Sequence, residues 1–208
     1  MKNLKTLHIL MVVNTRSFSD GTSVAVDLAK IISKPSKKIA LIDANLRSPA
    51  VHKLLGIPNK RGFYNVLQNG HMVSDVTTII SNPTISVIPS GNLLPDMIST
   101  ISSRKIKDTL ESLRTKFDQV IINGPSIMFE ETLLFTKHVD GIVMLVQPGF
   151  NNPEKMKKLM DLVKNEGITV ITIMMRDQPQ YQAQQSAFLD QLLLFDKQSH
   201  YLADENES

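Results

Sequence analysis

Three stretches of this chain carry residue types that handle phosphate and divalent metal. An apolar run over residues 7–13 leads into the polar loop Asn14-Thr15-Arg16-Ser17-Phe18-Ser19-Asp20-Gly21-Thr22-Ser23, and a helical period follows. A strand, a small polar loop and a helix N-terminus together present backbone N–H groups to an anion. A second apolar run ends in Asp43 and a third in Asn123. In a working phosphate loop the ending is Gly-Lys-Ser/Thr: the lysine meets the β/γ-phosphates and the hydroxyl holds Mg²⁺. Here Thr22 and Ser23 follow Gly21 directly. The next lysine, Lys30, lies about two helical turns further on. Taken alone, the loop reads first as an ordinary strand-to-helix turn capped by Ser or Thr, with a phosphate cradle as the alternative.

The elements that must position these residues are legible from periodicity. Continuous apolar runs predict strands over 6–13, 38–43, 84–89, 118–123, 141–147 and 169–175. Helical stripes predict helices over 22–32 (Val24, Ala25, Leu28, Ala29, Ile32), 103–117 (Ile106, Leu110, Leu113, Phe117) and 153–166 (Met156, Leu159, Met160, Val163). The last of these opens on Pro153, as helices tolerate. Unbroken apolar strands separated by helices predict an α/β fold, a doubly wound, mostly parallel sheet covered on both faces. Ligands of such sheets bind outside the carboxyl ends of the strands, where Asp43 and Asn123 fall.

Composition narrows the classes. The 208 residues are 42% apolar and 21% charged, ordinary for a globular domain. With no cysteine there is neither a disulfide framework nor a thiolate metal site. The five histidines lack metal-ligand spacing. A net charge of +3 with 5% aromatics lacks the dense basic stripe of a nucleic-acid groove, so no nucleic-acid partner is expected. No run approaches the roughly 18 apolar residues of a membrane span, and a cytoplasmic location is expected. Residues 1–176 form the expected domain. Residues 177–208 form a tail in which Phe188, Leu192 and Phe195 share one face of a short amphipathic helix, before an acidic end that reads as disordered.

The second run, Ala40-Leu41-Ile42-Asp43-Ala44-Asn45-Leu46-Arg47-Ser48-Pro49, sharpens the reading. It resembles the Leu-Ile-Asp-Ala-Asp-Leu-Arg-Arg-Pro motif of the bacterial tyrosine kinases of capsule and exopolysaccharide systems, which belong to the deviant-Walker P-loop proteins. The similarity continues in order through a Gly-rich turn at Arg61-Gly62-Phe63-Tyr64-Asn65-Val66-Leu67 and a strand at Ile85-Ser86-Val87-Ile88-Pro89-Ser90-Gly91. It extends to the Walker B-like Val120-Ile121-Ile122-Asn123-Gly124-Pro125, and covers residues 6–176 in all. The resemblance implies a P-loop fold, a nucleotide site at Gly21, Thr22, Ser23, Asp43 and Asn123, and a Mg²⁺ ligand at Asp43. It also implies a phosphorylated tail tyrosine, Tyr201, and a membrane-anchored chain-length or co-polymerase partner.

The departures from the family pattern fall at the chemistry. No alignment supplies the loop lysine. The second Walker A′ aspartate is Asn45, and the Walker B aspartate is Asn123. Asparagine keeps the shape and one acceptor oxygen but loses the charge, and Mg²⁺ is normally held by one or two carboxylates with phosphates. Phosphoryl transfer is almost wholly positioning and electrostatic stabilisation, so three such losses predict negligible turnover. The sequence reading is therefore a non-catalytic, degenerate member of the family. It would be an interaction or regulatory subunit that requires no cofactor, binds ATP or ADP weakly at most, and pairs with a co-polymerase or an active kinase homologue. Ring self-assembly is not expected, because only about five residues precede the first strand. Two alternatives stay open: an active tyrosine kinase or ATPase of the same pathway, and a partition-type ATPase relative. Asp43 is either a relic ligand or a strand-end residue capping a turn. Read from the sequence, Asp43→Ala costs much less stability than Ile121→Ala.

Overall fold

The computed structural model describes residues 7–15, 20–81, 84–92, 100–146 and 153–174. Arg16, the tail face of Phe188, Leu192 and Phe195, and Tyr201 lie outside these residues. Four strands are buried at every position: β1 (Ile9–Asn14), β2 (Ile39–Asp43), β5 (Gln119–Asn123) and β6 (Gly141–Val146). Their apolar runs have no polar alternation because both faces are covered. With β3 (Thr78–Ser81), β4 (Thr84–Ile88) and β7 (Thr169–Met174) they form a seven-stranded sheet in the order β3-β4-β2-β5-β1-β6-β7. Every pairing is parallel except β3 with β4.

Alternation of side chains along the strands divides the core in two. Leu10, Val12, Leu41 and Ile121 face helix α1 (Asp20–Ile32), whose Val24, Ala25, Leu28, Ala29 and Ile32 are all buried. The short helix α2 (Val51–Leu55) adds Val51 to this face. Ile9, Met11, Val13 and Ile122 face the other side. That side is covered by α3 (Phe63–Asn69), α4 (Val73–Val76), α5 (Ser103–Arg114), α6 (Glu131–Thr136) and α7 (Pro153–Asn165). From neighbouring strands, β1 therefore sends its chain to one face through α1 and β5 sends its chain to the other through α6. The crevice between the diverging connections opens at their carboxyl ends.

Several details depart from the periodicity reading. Residues 61–67 are not simply a turn: a helix begins at Phe63, with Phe63, Tyr64 and Leu67 buried. It is seeded from outside, since Phe63 N–H donates to Pro89 O at 2.7 Å and Tyr64 N–H to Ser90 O at 2.9 Å. Gly62 is needed because a Cβ there would run into the Pro89 carbonyl. The helix over 103–117 stops at Arg114, although Phe117 still packs on the core. Met160, expected on the buried stripe of α7, is 40% exposed. The short elements α2, α4, α6 and β3 span too few residues to show a period. Among the described residues no helix is long and apolar enough to cross a membrane.

Ile121 sits at the centre of the α1 face and is completely buried. Ile121→Ala should lower unfolding free energy by about 2–5 kcal/mol, read from the midpoint of chemical denaturation. A loss below 1 kcal/mol, by the same scale, would mean that this face is not the packed core described.

Candidate functional site

The register of the sheet assembles the site. Asp43 and Asn123 end neighbouring parallel strands and are partners in register. Each lies two residues beyond a side chain that faces α1, Leu41 and Ile121 respectively, so both side chains turn to the α1 face. Thr22 meets them from the first turn of α1. Asn123 Nδ2 donates to Asp43 Oδ1 at 2.9 Å and to Thr22 Oγ1 at 3.2 Å. Asp43, Asn123 and Thr22 are 0%, 1% and 3% exposed. Gly21 brings α1 this close to β1: a Cβ there would stand 2.7 Å from Asn14 Nδ2. Ser23 is half-buried beside it.

Asp43 has other partners. Its Oδ1 accepts from Asn45 N–H at 3.3 Å, and its Oδ2 accepts from Ala50 N–H and Val51 N–H, both at 3.0 Å. Ala50 is the N-cap of α2 and offers no side-chain acceptor, so the first amides of that helix find theirs in Asp43. The carboxylate thus closes the loop over 44–50. Burial pushes its pKa up to about 6, against the opposing pull of the Asn123 amide and the three backbone N–H groups.

That loop carries Arg47 to the connection after β5. The Arg47 guanidinium donates to Glu131 Oε1 at 2.7 Å through Nε and lies 4.5 Å from the centre of the Phe129 ring. From the other direction, Ser126 Oγ donates to Asn14 O at 3.1 Å and Ile127 N–H to the same carbonyl at 2.9 Å. The connections after β1, β2 and β5 are thereby tied together. An open cleft of about 570 Å³ lies beside them, lined by Arg47, Met128, Phe129, Leu133, Leu134 and Lys158. It does not reach Thr22, Asp43 or Asn123.

Of the residues expected at the site, Thr22, Asp43 and Asn123 are in direct contact, and Gly21 and Ser23 flank them. Asn45 is half-buried and reaches Asp43 through its backbone. Arg47 supports the fold here, while the parts that Glu131 and Ser126 play in these ties were not foreseen. Glu131 and Ser126 carry no local motif, and only their place on the connection after β5 marks them. Among the described residues there is no group of three or more His, Cys, Asp or Glu side chains able to hold a metal. The site offers a divalent cation one carboxylate, with both oxygens engaged, and an amide whose Nδ2 faces Asp43 and Thr22.

No family model matches the chain. Its sequence is 23% identical over 164 residues to the tyrosine-protein kinase Wzc of Salmonella typhi, covering 78% of this chain and 23% of that protein. It is 22% identical over 171 residues to the putative tyrosine-protein kinase CapB of Staphylococcus aureus, covering 82% and 75%. The chain thus spans about a quarter of the length of Wzc and three quarters of CapB. In structure it is similar to the VpsO kinase domain, with a TM-score of 0.72 at 19% identity over 84% of this chain and 87% of that one. It is also similar to the septum site-determining protein MinD from Pyrococcus horikoshii OT3, solved with Mg-ADP, with a TM-score of 0.68 at 18% identity over 86% and 76%. The chain is thus similar in sequence to bacterial tyrosine-protein kinases, and its fold is the P-loop fold of the VpsO kinase domain and of MinD.

Proposed function

We propose that this protein is a non-catalytic, kinase-like subunit of capsule or exopolysaccharide production. It acts by binding a membrane-anchored chain-length or co-polymerase protein, or an active kinase homologue. The observation that carries this reading is the state of Asp43. The one carboxylate left of the family's magnesium set gives both oxygens to the loop over 44–50 and to Asn123. A catalytic carboxylate must be available to the ion it holds, and each group removed from a phosphoryl-transfer site costs several kcal/mol of barrier. With no ammonium between Gly21 and Thr22 and no charge at Asn45 or Asn123, turnover has no electrostatic support. Meanwhile the bracing of the carboxyl edge through Arg47, Glu131 and Ser126 is intact, which suits a surface kept for a partner. The pathway rests on the kinship with Wzc and CapB.

Asp43 on this reading is a structural residue. Asp43→Ala leaves two helix-start amides, the Asn45 N–H and the Asn123 amide without their acceptor. It should cost about 3 kcal/mol or more, as much as Ile121→Ala and more than the sequence alone suggests. Its titration gives a second, independent observable. The folded carboxyl holds its proton more tightly than the unfolded one, with a pKa near 6 against 3.8. The stability it contributes is therefore fully present below the unfolded value and is lost as pH rises through 6. Relative to Asp43→Asn, the wild type should gain unfolding free energy as pH falls from about 7 to about 5. A slope of the opposite sign would show an Asp43 pKa depressed by its donors instead.

Calorimetry with Mg-ATP should show no binding in the low micromolar range, and any residual nucleotide binding should depend little on Mg²⁺. In a strain lacking the gene, Ser23→Ala should restore polymer output to the wild-type level. Loss of output from a Ser23→Ala chain with an unchanged melting temperature would show a nucleotide site still in use and overturn the non-catalytic reading.

A further inference from the structure

The hydrogen bonds of Asn123 have a direction that matters. An ionised carboxylate only accepts, so the NH₂ end of the amide must face Asp43. The same nitrogen reaches Thr22 Oγ1. One nitrogen with two protons therefore joins an oxygen at the start of α1 to an oxygen at the end of β2. All three groups are buried, and in a dry site a partial positive charge between two oxygens interacts strongly with both.

A divalent cation would make the same connection. Mg²⁺ asks for oxygen ligands at about 2.0–2.1 Å, and here a nitrogen with its protons directed outward lies within hydrogen-bond distance of both oxygens. Ion and amide exclude one another. An aspartate at position 123 would instead place two carboxylates side by side in register within a buried site. Such a pair must take up a proton or a cation. The asparagine removes that demand and supplies the bridge in the same exchange of one side-chain atom group.

We propose that the Asn123 amide is a built-in substitute for a divalent cation, which joins α1 to β2 permanently and makes the carboxyl edge of the sheet independent of metal. Asn123 is a positioning residue here. The inference extends the non-catalytic reading of the same site and rests on it for its setting, but its test uses no nucleotide. The two therefore fail separately: Mg-ATP binding could overturn the functional reading while the metal-free bridge stood, and the reverse.

The test is thermal unfolding of the full chain in EDTA and in millimolar MgCl₂. The wild type should melt at the same temperature in both. Asn123→Asp should melt below the wild type in EDTA and recover in MgCl₂ but not in KCl of equal ionic strength. A wild type stabilised by Mg²⁺, or an Asn123→Asp chain that is as stable as the wild type in EDTA or unresponsive to Mg²⁺, would overturn the proposal. Should Asn123→Asp fold only in the presence of Mg²⁺, that outcome supports the proposal, whereas failure to fold in either condition counts against it. NMR of the wild type gives a check that needs no variant. The Asn123 side-chain NH₂ protons should exchange at least about tenfold more slowly than those of exposed asparagines, with shifts unmoved by Mg²⁺. Fast exchange, or displacement by Mg²⁺, would overturn it.

Discussion

Parallel pairing of β2 with β5 in the register that sets Asp43 beside Asn123 is the constraint from which the carboxyl edge follows. Because side chains alternate along a strand, that register turns both groups to the α1 face at the level of its first turn. A slip of one residue would send them to opposite faces, leaving Thr22 without the amide and the amides of Ala50 and Val51 without an acceptor. The loop over 44–50 would lose its anchor, and with it the placement of Arg47 on Glu131 and Phe129.

The two aspartates at opposite edges of the sheet show what a formal cation does for a buried carboxylate. At the amino edge, Asp140 accepts from His8 N–H at 3.1 Å, from Ile9 N–H at 2.8 Å and from both terminal nitrogens of Arg114 at 2.8 Å. Burial raises its pKa, but the guanidinium and the backbone donors outweigh burial and hold it below the usual carboxylate range. Asp43 has as many donors and is more deeply buried, yet every one of them is neutral, and its pKa rises. Dipoles satisfy a carboxylate's hydrogen bonds without fully offsetting the loss of solvation. The strand ends are chemically alike, and only one is supplied with charge.

Much of the fold was legible in the residues. The unbroken apolar runs of β1, β5 and β6 announced a sheet covered on both faces, and the stripe of α1 from Val24 to Ile32 is buried as its period demands. Asp43 and Asn123 could be placed at strand ends, and the ordered motifs from Ala40 to Pro125 pointed to the kinases. Less legible was anything set by contacts between distant segments. The helix at Phe63 is seeded by carbonyls of Pro89 and Ser90, some 26 residues away in sequence, and no local pattern reports them. The same holds in part for Asp43: its residue type and place left a metal ligand and a turn cap both open, and the partners that decide for the cap, at Ala50 and Val51, are backbone amides, which carry no sequence signature at all.

The packing of Gly21 against Asn14 bears on whether the loop before α1 could accept a lysine. A lysine added between Gly21 and Thr22 must be absorbed somewhere. If α1 takes it up, the residues on one side of the insertion turn by about 100° relative to those on the other, and either Thr22 or the Val24–Ile32 stripe leaves its place. If the preceding loop takes it up, the lysine stands where Gly21 was, and its Cβ runs into the Asn14 side chain, 2.7 Å from Nδ2 and closer still to Oδ1. The Asn14 side chain would then have to move to accommodate the insertion. On the non-catalytic reading proposed above, restoring a phosphate-binding lysine would take coordinated changes at the loop and at position 123, none useful alone, so this edge is more readily refined as a surface than rebuilt as a nucleotide site.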